Sequence, residues 1–116
     1  MKDDNCLFCK IAAGEIPSDC LYNEDGVYAF RDINPQAPVH FLVIPVEHIS
    51  GVSAVDASNS ALAAKCLEVI AKLAAADGAL KGGYRVVSNC GDDAGQSVHH
   101  LHFHVLGGER LNDRMA

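Results

Sequence analysis

The chain has 116 residues, the length of one ordinary domain, and its 49% hydrophobic and 21% charged residues exclude a disordered chain. A formal charge of −6, with no block of like charge, lacks the electrostatic footprint of a nucleic-acid binder. No apolar run approaches a membrane span, and the start Met1-Lys2-Asp3-Asp4-Asn5 is too polar for a signal peptide. Five cysteines, an odd number, therefore read as reduced thiols in a cytoplasmic setting.

Leu7, Phe8 and Ile11 are spaced for one face of a short helix that stops at Gly14. Cys6 and Cys9 lie within this stretch as a Cys-x-x-Cys pair, which is either a zinc-type half-site or two buried thiols. Pro17 disfavours helix at Ile16. Residues 20–23 and 27–32 then read as an antiparallel hairpin around Glu24-Asp25-Gly26. With two prolines, residues 33–38 form an exposed loop. The nearly continuous apolar run Val39–Pro45 belongs to a central strand covered on both faces, with His40 at its mouth.

A connector carrying His48 follows, and Ser58, Asn59 and Ser60 offer N-caps for one long helix that runs to about Asp77 and closes at Gly78. Leu62, Cys66, Val69, Ile70 and Leu73 make its apolar stripe, opposite Lys65, Glu68 and Lys72, so the helix lies across a sheet. Residues 84–89 form another strand. The loop 90–97 contains Gly91 and Gly95, which allow backbone N–H groups to turn toward an anion. Cys20, Cys66 and Cys90 read as small core or near-core residues, and residues 107–116 as a polar, mobile tail. The sum is one α+β domain over residues 1–116, an antiparallel sheet of about five strands with one long and one short helix.

Between the loop and the tail stands His99-His100-Leu101-His102-Phe103-His104-Val105-Leu106. In an extended strand His100, His102 and His104 share one face and Leu101, Phe103 and Val105 the other, so the histidine face looks into a cleft, a partner or solvent. Imidazole is neutral, nucleophilic and able to donate protons near pH 7. One attacking imidazole with neighbours that donate to phosphate oxygens suffices for transfer through a covalent intermediate with no metal at phosphorus. The same spacing also suits a metal face, completed by Cys6, Cys9 and His48. Ser97 is either a plain strand-start hydroxyl or a donor to a leaving group. Asp32 either satisfies a turn or holds ribose hydroxyls.

The run His100-Leu101-His102-Phe103-His104-Val105-Leu106 resembles the His-x-His-x-His-x-x motif of the histidine triad (HIT) family. Glu15-Ile16-Pro17, Ala29-Phe30-Arg31-Asp32-Ile33, Pro35-Gln36-Ala37-Pro38, residues 40–45, His48-Ile49-Ser50 and Gly95-Gln96-Ser97 are similar to its Hint branch. The resemblance implies a HIT-like fold, and a homodimer that binds purine nucleoside monophosphates and hydrolyses phosphoramidates such as adenosine 5'-monophosphoramidate. It implies that His102 is the nucleophile and forms a nucleotidyl-histidine. His104, with His40 behind it, would contact the phosphate, and His100 would orient His102, partly through its backbone carbonyl, which keeps the attacking nitrogen unprotonated. It further implies that Ser97 meets the leaving group, Asp32 the ribose and Asn89 the ribose and phosphate. Phe30, Ile33 and Ile16 would line the base pocket, and backbone donors from Gly95, Gln96 and Ser97 would meet the phosphate.

Two features depart from the animal Hint proteins. Cys6-x-x-Cys9 resembles the zinc site of many bacterial members, whose other ligands match His48 and His100, which implies a structural zinc. The tail lacks the Trp-containing Hint terminus. The alternatives to a phosphoramidase are a dinucleoside polyphosphate hydrolase, as in the Fhit branch, and a nucleotide-binding module without catalysis.

Overall fold

The protein's structure, a computed structural model, describes residues 3–115; Met1 and Lys2 of the polar start and Ala116 of the tail lie outside the described residues. Strands β1 (Cys20–Glu24), β2 (Val27–Arg31), β3 (Val39–Pro45), β4 (Tyr84–Val87) and β5 (Phe103–Gly107) build one antiparallel sheet in the order β1-β2-β3-β5-β4. The hairpin between β1 and β2 turns at Asp25 and Gly26, at φ 56° and 79°. Positive φ at both positions matches the right-handed twist of the flanking strands.

Every residue of β3 is buried because the sheet is covered on both sides. Val39, Phe41 and Val43 alternate toward the long helix α2 (Ser60–Ala76), meeting its Cys66, Val69, Ile70 and Ala74. Leu42 and Ile44 point the other way, to Phe8, Cys9 and Ile11 of the short helix α1 (Leu7–Ala12), with Tyr28 and Phe30 of β2 beside them. Burying each such large apolar side chain is worth about 1.5–3 kcal/mol relative to leaving it in water. The alternation also sends His40 toward the α1 side, where β5 brings His104 opposite Leu42. Helix α2 ends where the Asp77 carboxylate accepts the N–H of Ala79 at 2.9 Å, opening a short 3-10 turn over Gly78–Leu80. Among the described residues no helix is long and apolar enough to cross a membrane.

Several expectations from the sequence are corrected. The histidine stretch is a strand only from Phe103, and residues 98–100 bend. The amide of Leu101 bonds to the carbonyl of Ile49 and that of His100 to Val98, so the main chain there is engaged outside the sheet. Leu7 is 44% exposed, because turning Cys9 inward with Phe8 and Ile11 rotates Leu7 outward. Of the three cysteines assigned to the core, Cys66 is buried, Cys90 half-buried and Cys20 exposed. The tail is tied down at Asn112, whose carbonyl accepts from Arg85 Nη2 at 2.6 Å.

Candidate functional site

His100 and His102 pack against Phe8 of α1. His102 Nδ1 lies 2.7 Å from the main-chain carbonyl of His100. A carbonyl only accepts, so Nδ1 carries the proton and Nε2 keeps a bare lone pair. Phe8 of α1 stands edge-on to this ring, with centroids 5.0 Å apart and planes at 89°. Burial pushes His102 below the ordinary imidazole value, opposed by its bond to the His100 carbonyl and by the charge of Asp32. The histidine face, expected to open on a cleft, a partner or solvent, is therefore roofed at His100 and His102, which are 0% and 5% exposed.

The same logic assigns the next two rings. The amide of Gln36 donates to His40 Nδ1 at 3.0 Å, which places the His40 proton on Nε2. That nitrogen lies 2.9 Å from His104 Nδ1 and 3.4 Å from the Asp32 carboxylate. His104 thus accepts at Nδ1 and keeps its own proton on Nε2 as a donor. Burial pushes His104 down to about 4, with the neighbouring His102 and His40 adding to the shift. His40 is lowered by burial as well, against the pull of Asp32. A bare nitrogen on His102 and a donor nitrogen on His104 therefore sit in adjacent rings, 5.1 Å between centroids. Asp32 also serves its turn, accepting the amide of Asn34 at 2.8 Å.

On the far side of His102, Cys6, Cys9, His48 and His100 bring their ligand atoms within 4.8 Å of one another and can hold a metal ion. His100 Nδ1 lies 3.3 Å from Cys6 Sγ and 3.5 Å from Cys9 Sγ, and His48 Nδ1 lies 3.4 Å from Cys9 Sγ. With bonds of about 2.3 Å to sulfur and 2.0 Å to nitrogen, a tetrahedral zinc separates such atoms by roughly 3.5 Å. The proton inventory agrees, because His100 Nε2 donates to the carbonyl of Pro45 at 2.7 Å and leaves the Nδ1 lone pair facing the thiols. Asp32, His40 and His104 also cluster, yet His40 fits a cation poorly. Its Nδ1 accepts from Gln36, so the nitrogen that would meet a cation is the protonated one.

The loop after β4 is built more tightly than its glycines suggest. The amides of Gly95 and Gln96 donate to the carbonyls of Asp92 and Gly91 at 3.0 and 3.1 Å, so these two expected phosphate donors are engaged within the loop. The Gln96 side chain is buried and works as a staple, accepting from the Gly91 amide and donating to the carbonyls of Ser50 and Val98. Ser97 is exposed and Asn89 half-buried past the end of β4. Phe30 is buried against Phe8, Ile16 is half-buried, and Ile33 is 92% exposed on the loop after β2. Sequence reasoning missed the contact of Phe8 with His102, although its place between the two cysteines is a signal that could have found it. It also missed the Pro45 carbonyl and the Gln36 amide, main-chain groups that no side-chain pattern marks.

His40, His100, His102 and His104 are all lowered, so at pH 7 they are neutral in the folded protein. In the unfolded chain they take up protons below about 6.5. The unfolded state then binds more protons than the native state, and stability falls as pH drops from about 6.5 to about 4, where His100 and His104 titrate when folded. Urea midpoints measured at pH 7, 5.5 and 4.5 are expected to decrease in that order. A midpoint unchanged down to pH 4.5 contradicts the burial of neutral imidazoles.

Comparison with known proteins fits this arrangement. The HIT domain model matches residues 13–111. The purine nucleoside phosphoramidase of Escherichia coli (strain K12) is 42% identical over 113 residues, covering 97% of this chain and 95% of the relative. A HIT family hydrolase from Clostridium thermocellum superimposes with a TM-score of 0.95 at 43% identity, covering 99% of this chain and 100% of that one. One from Legionella pneumophila Philadelphia 1 gives 0.92 at 46%, covering 97% and 100%. With the domain matched over residues 13–111 and a bacterial relative of nearly equal length at 42% identity, the chain belongs to the HIT family.

Proposed function

We propose that the chain is a nucleotide hydrolase that cleaves the P–N bond of purine nucleoside phosphoramidates, adenosine 5'-monophosphoramidate or adenylated amines, with His102 as nucleophile. The observation that carries this reading is the bond from His102 Nδ1 to the His100 carbonyl, which keeps Nε2 unprotonated in a ring that burial holds neutral. The Nε2 lone pair attacks phosphorus, and an N–P bond forms as the bond to the amine breaks. The electron pair leaves with the amine nitrogen, which takes a proton that comes in the end from water, and Ser97 contacts this leaving group. Water then attacks phosphorus, the nucleotidyl-histidine bond breaks, AMP leaves and Nε2 recovers its lone pair.

The Nε2–H of His104 donates to a nonbridging phosphate oxygen, and His40 fixes that tautomer from behind. The donor is local, which suits a protein whose formal charge of −6 gives no long-range attraction for an anion. Asp32 and Asn89 hold the ribose, Ile16, Phe30 and Ile33 flank the base, and the amide of Ser97 takes the phosphate part left to it by Gly95 and Gln96. No cofactor takes part at phosphorus.

Cys6, Cys9, His48 and His100 hold a structural zinc. Bound there, zinc supplies positive charge to thiolates and cross-links α1 to the segment before β5. Burial raises the Cys9 thiol, helped by Cys6 beside it, so a cation is what makes it a thiolate. The same reading sets the protein in a reducing, cytoplasmic compartment, where its five cysteines stay thiols. The open edge at β4, with Tyr84 and Val86 exposed, supports pairing of two copies into a homodimer.

His102→Ala is expected to lose at least about a thousandfold in turnover of a fluorogenic adenosine phosphoramidate, the scale of removing a nucleophile. Mass spectrometry of wild type trapped with a slow substrate is expected to show a nucleotidyl adduct on His102. A His102→Ala variant with the wild-type rate rejects the mechanism, and faster turnover of a dinucleoside polyphosphate at equal concentration rejects the substrate class. Metal analysis should find one zinc per chain in wild type and none in Cys9→Ser; a metal-free wild type with an intact fold removes the zinc from this account. Sedimentation should give twice the 12.3 kDa chain mass, and a monomer at micromolar concentration contradicts the dimer.

A further inference from the structure

Ser88 lies one residue past the end of β4 and outside the groups already assigned to the site. Its hydroxyl donates to the main-chain carbonyl of His102 at 2.8 Å. The ladder between β4 and β5 ends at Val87 opposite His104, so this carbonyl lies past the last main-chain rung. His102 is 5% exposed, and a buried carbonyl without a donor is strongly disfavoured. The Ser88 hydroxyl supplies the donor that the strand no longer offers.

The geometry has two consequences. The peptide held by Ser88 joins His102 to Phe103, where β5 begins, and so sets the direction in which the His102 side chain leaves the main chain. On the other side the ring is tethered through Nδ1 to the His100 carbonyl, making His102 fixed at both its backbone and its imidazole. A side-chain donor at this point also frees the main chain of residues 88–97 to leave the sheet and form the loop that carries Asn89, Gln96 and Ser97. A longer β4 would tie the same carbonyl with a main-chain amide and take that loop away.

We propose that Ser88 is a positioning residue for the nucleophile: through the His102 carbonyl it holds the backbone that aims His102 Nε2 at phosphorus. This rests on the reaction proposed above, in which Nε2 must meet phosphorus in line with the departing amine, and small misplacements of such an atom slow the step strongly.

The test compares Ser88→Ala, Ser88→Thr and Ser88→Cys in the full chain, by steady-state kinetics on the fluorogenic adenosine phosphoramidate and by NMR of the His102 imidazole in 15N-histidine-labelled protein. Ser88→Ala is expected to lower kcat roughly tenfold with KM and AMP affinity unchanged, and to speed solvent exchange of the His102 Nδ1 proton. Ser88→Thr, which keeps the hydroxyl, restores both, and Ser88→Cys, a weaker donor of similar size, falls between. A merely structural role would lower the melting temperature and leave kcat and proton exchange alone, and that result overturns the proposal. Equal impairment of the Ala and Thr variants overturns it too, since the hydroxyl would then be irrelevant. If wild type turns over no phosphoramidate but Ser88→Ala still speeds the exchange of the His102 proton, the proposed reaction falls and the positioning role stands.

Discussion

His100 is fully buried, and each polar group on it that faces the site is used by a different part of the molecule. Nε2 donates to the carbonyl of Pro45 at the end of β3, Nδ1 faces the thiols of Cys6 and Cys9, and its carbonyl receives the proton of His102. The first bond sets the tautomer, the tautomer sets which nitrogen meets the cysteines, and the position of the backbone sets the ring of His102. One residue therefore joins the centre of the sheet and the N-terminal helix through its side chain, and the ring of His102 through its carbonyl. Replacing the side chain by one of similar volume would keep the packing and the carbonyl, and lose the links to Pro45 and to the two thiols.

Burial is what makes this arrangement chemically useful, and it also costs stability. Four buried or half-buried imidazoles are uncharged at neutral pH, so they neither repel one another nor lose their lone pairs. The same desolvation makes each unsatisfied ring nitrogen expensive, and the described structure answers with carbonyls and amides from Pro45, His100 and Gln36. The two histidine clusters separate by this bookkeeping of protons. In one, a lone pair faces two sulfurs; in the other, a proton lies between two rings and a carboxylate.

The sequence made some of this legible and hid the rest for physical reasons. Val39–Pro45 reads as a central strand because apolar residues occupy both faces, and it is buried throughout. The stripe of α2 and the hairpin at Asp25-Gly26 were equally plain, since local periodicity and turn chemistry decide them. The histidine run misled in one respect: its alternation is that of a strand, but only residues from Phe103 onward pair in the sheet. What decides residues 98–101 is a contact with Ile49, half a chain away, which no local pattern encodes. Similarly, Gly91 and Gly95 correctly mark a tight loop, yet the bonds of Gln96 that close it are invisible in its spelling. The residue types at the site were readable, and the family resemblance implied the proton position of His102; those of His100 and His40 depend on the Pro45 carbonyl and the Gln36 amide and were not.

The contact between Cys6 and His100 spans 94 positions of the chain. Closing so long a loop is entropically unfavourable, and it can happen only after residue 100 has been made. Until then His48 is present beside Cys9, but the His100 and His102 rings that Phe8 covers are not. Residues 100–102 therefore complete a seat for α1 that Tyr28, Phe30, Leu42 and Ile44 begin. The surroundings of the His102 ring are thus drawn from segments far apart in the chain, and a polypeptide cut before residue 100 cannot form them.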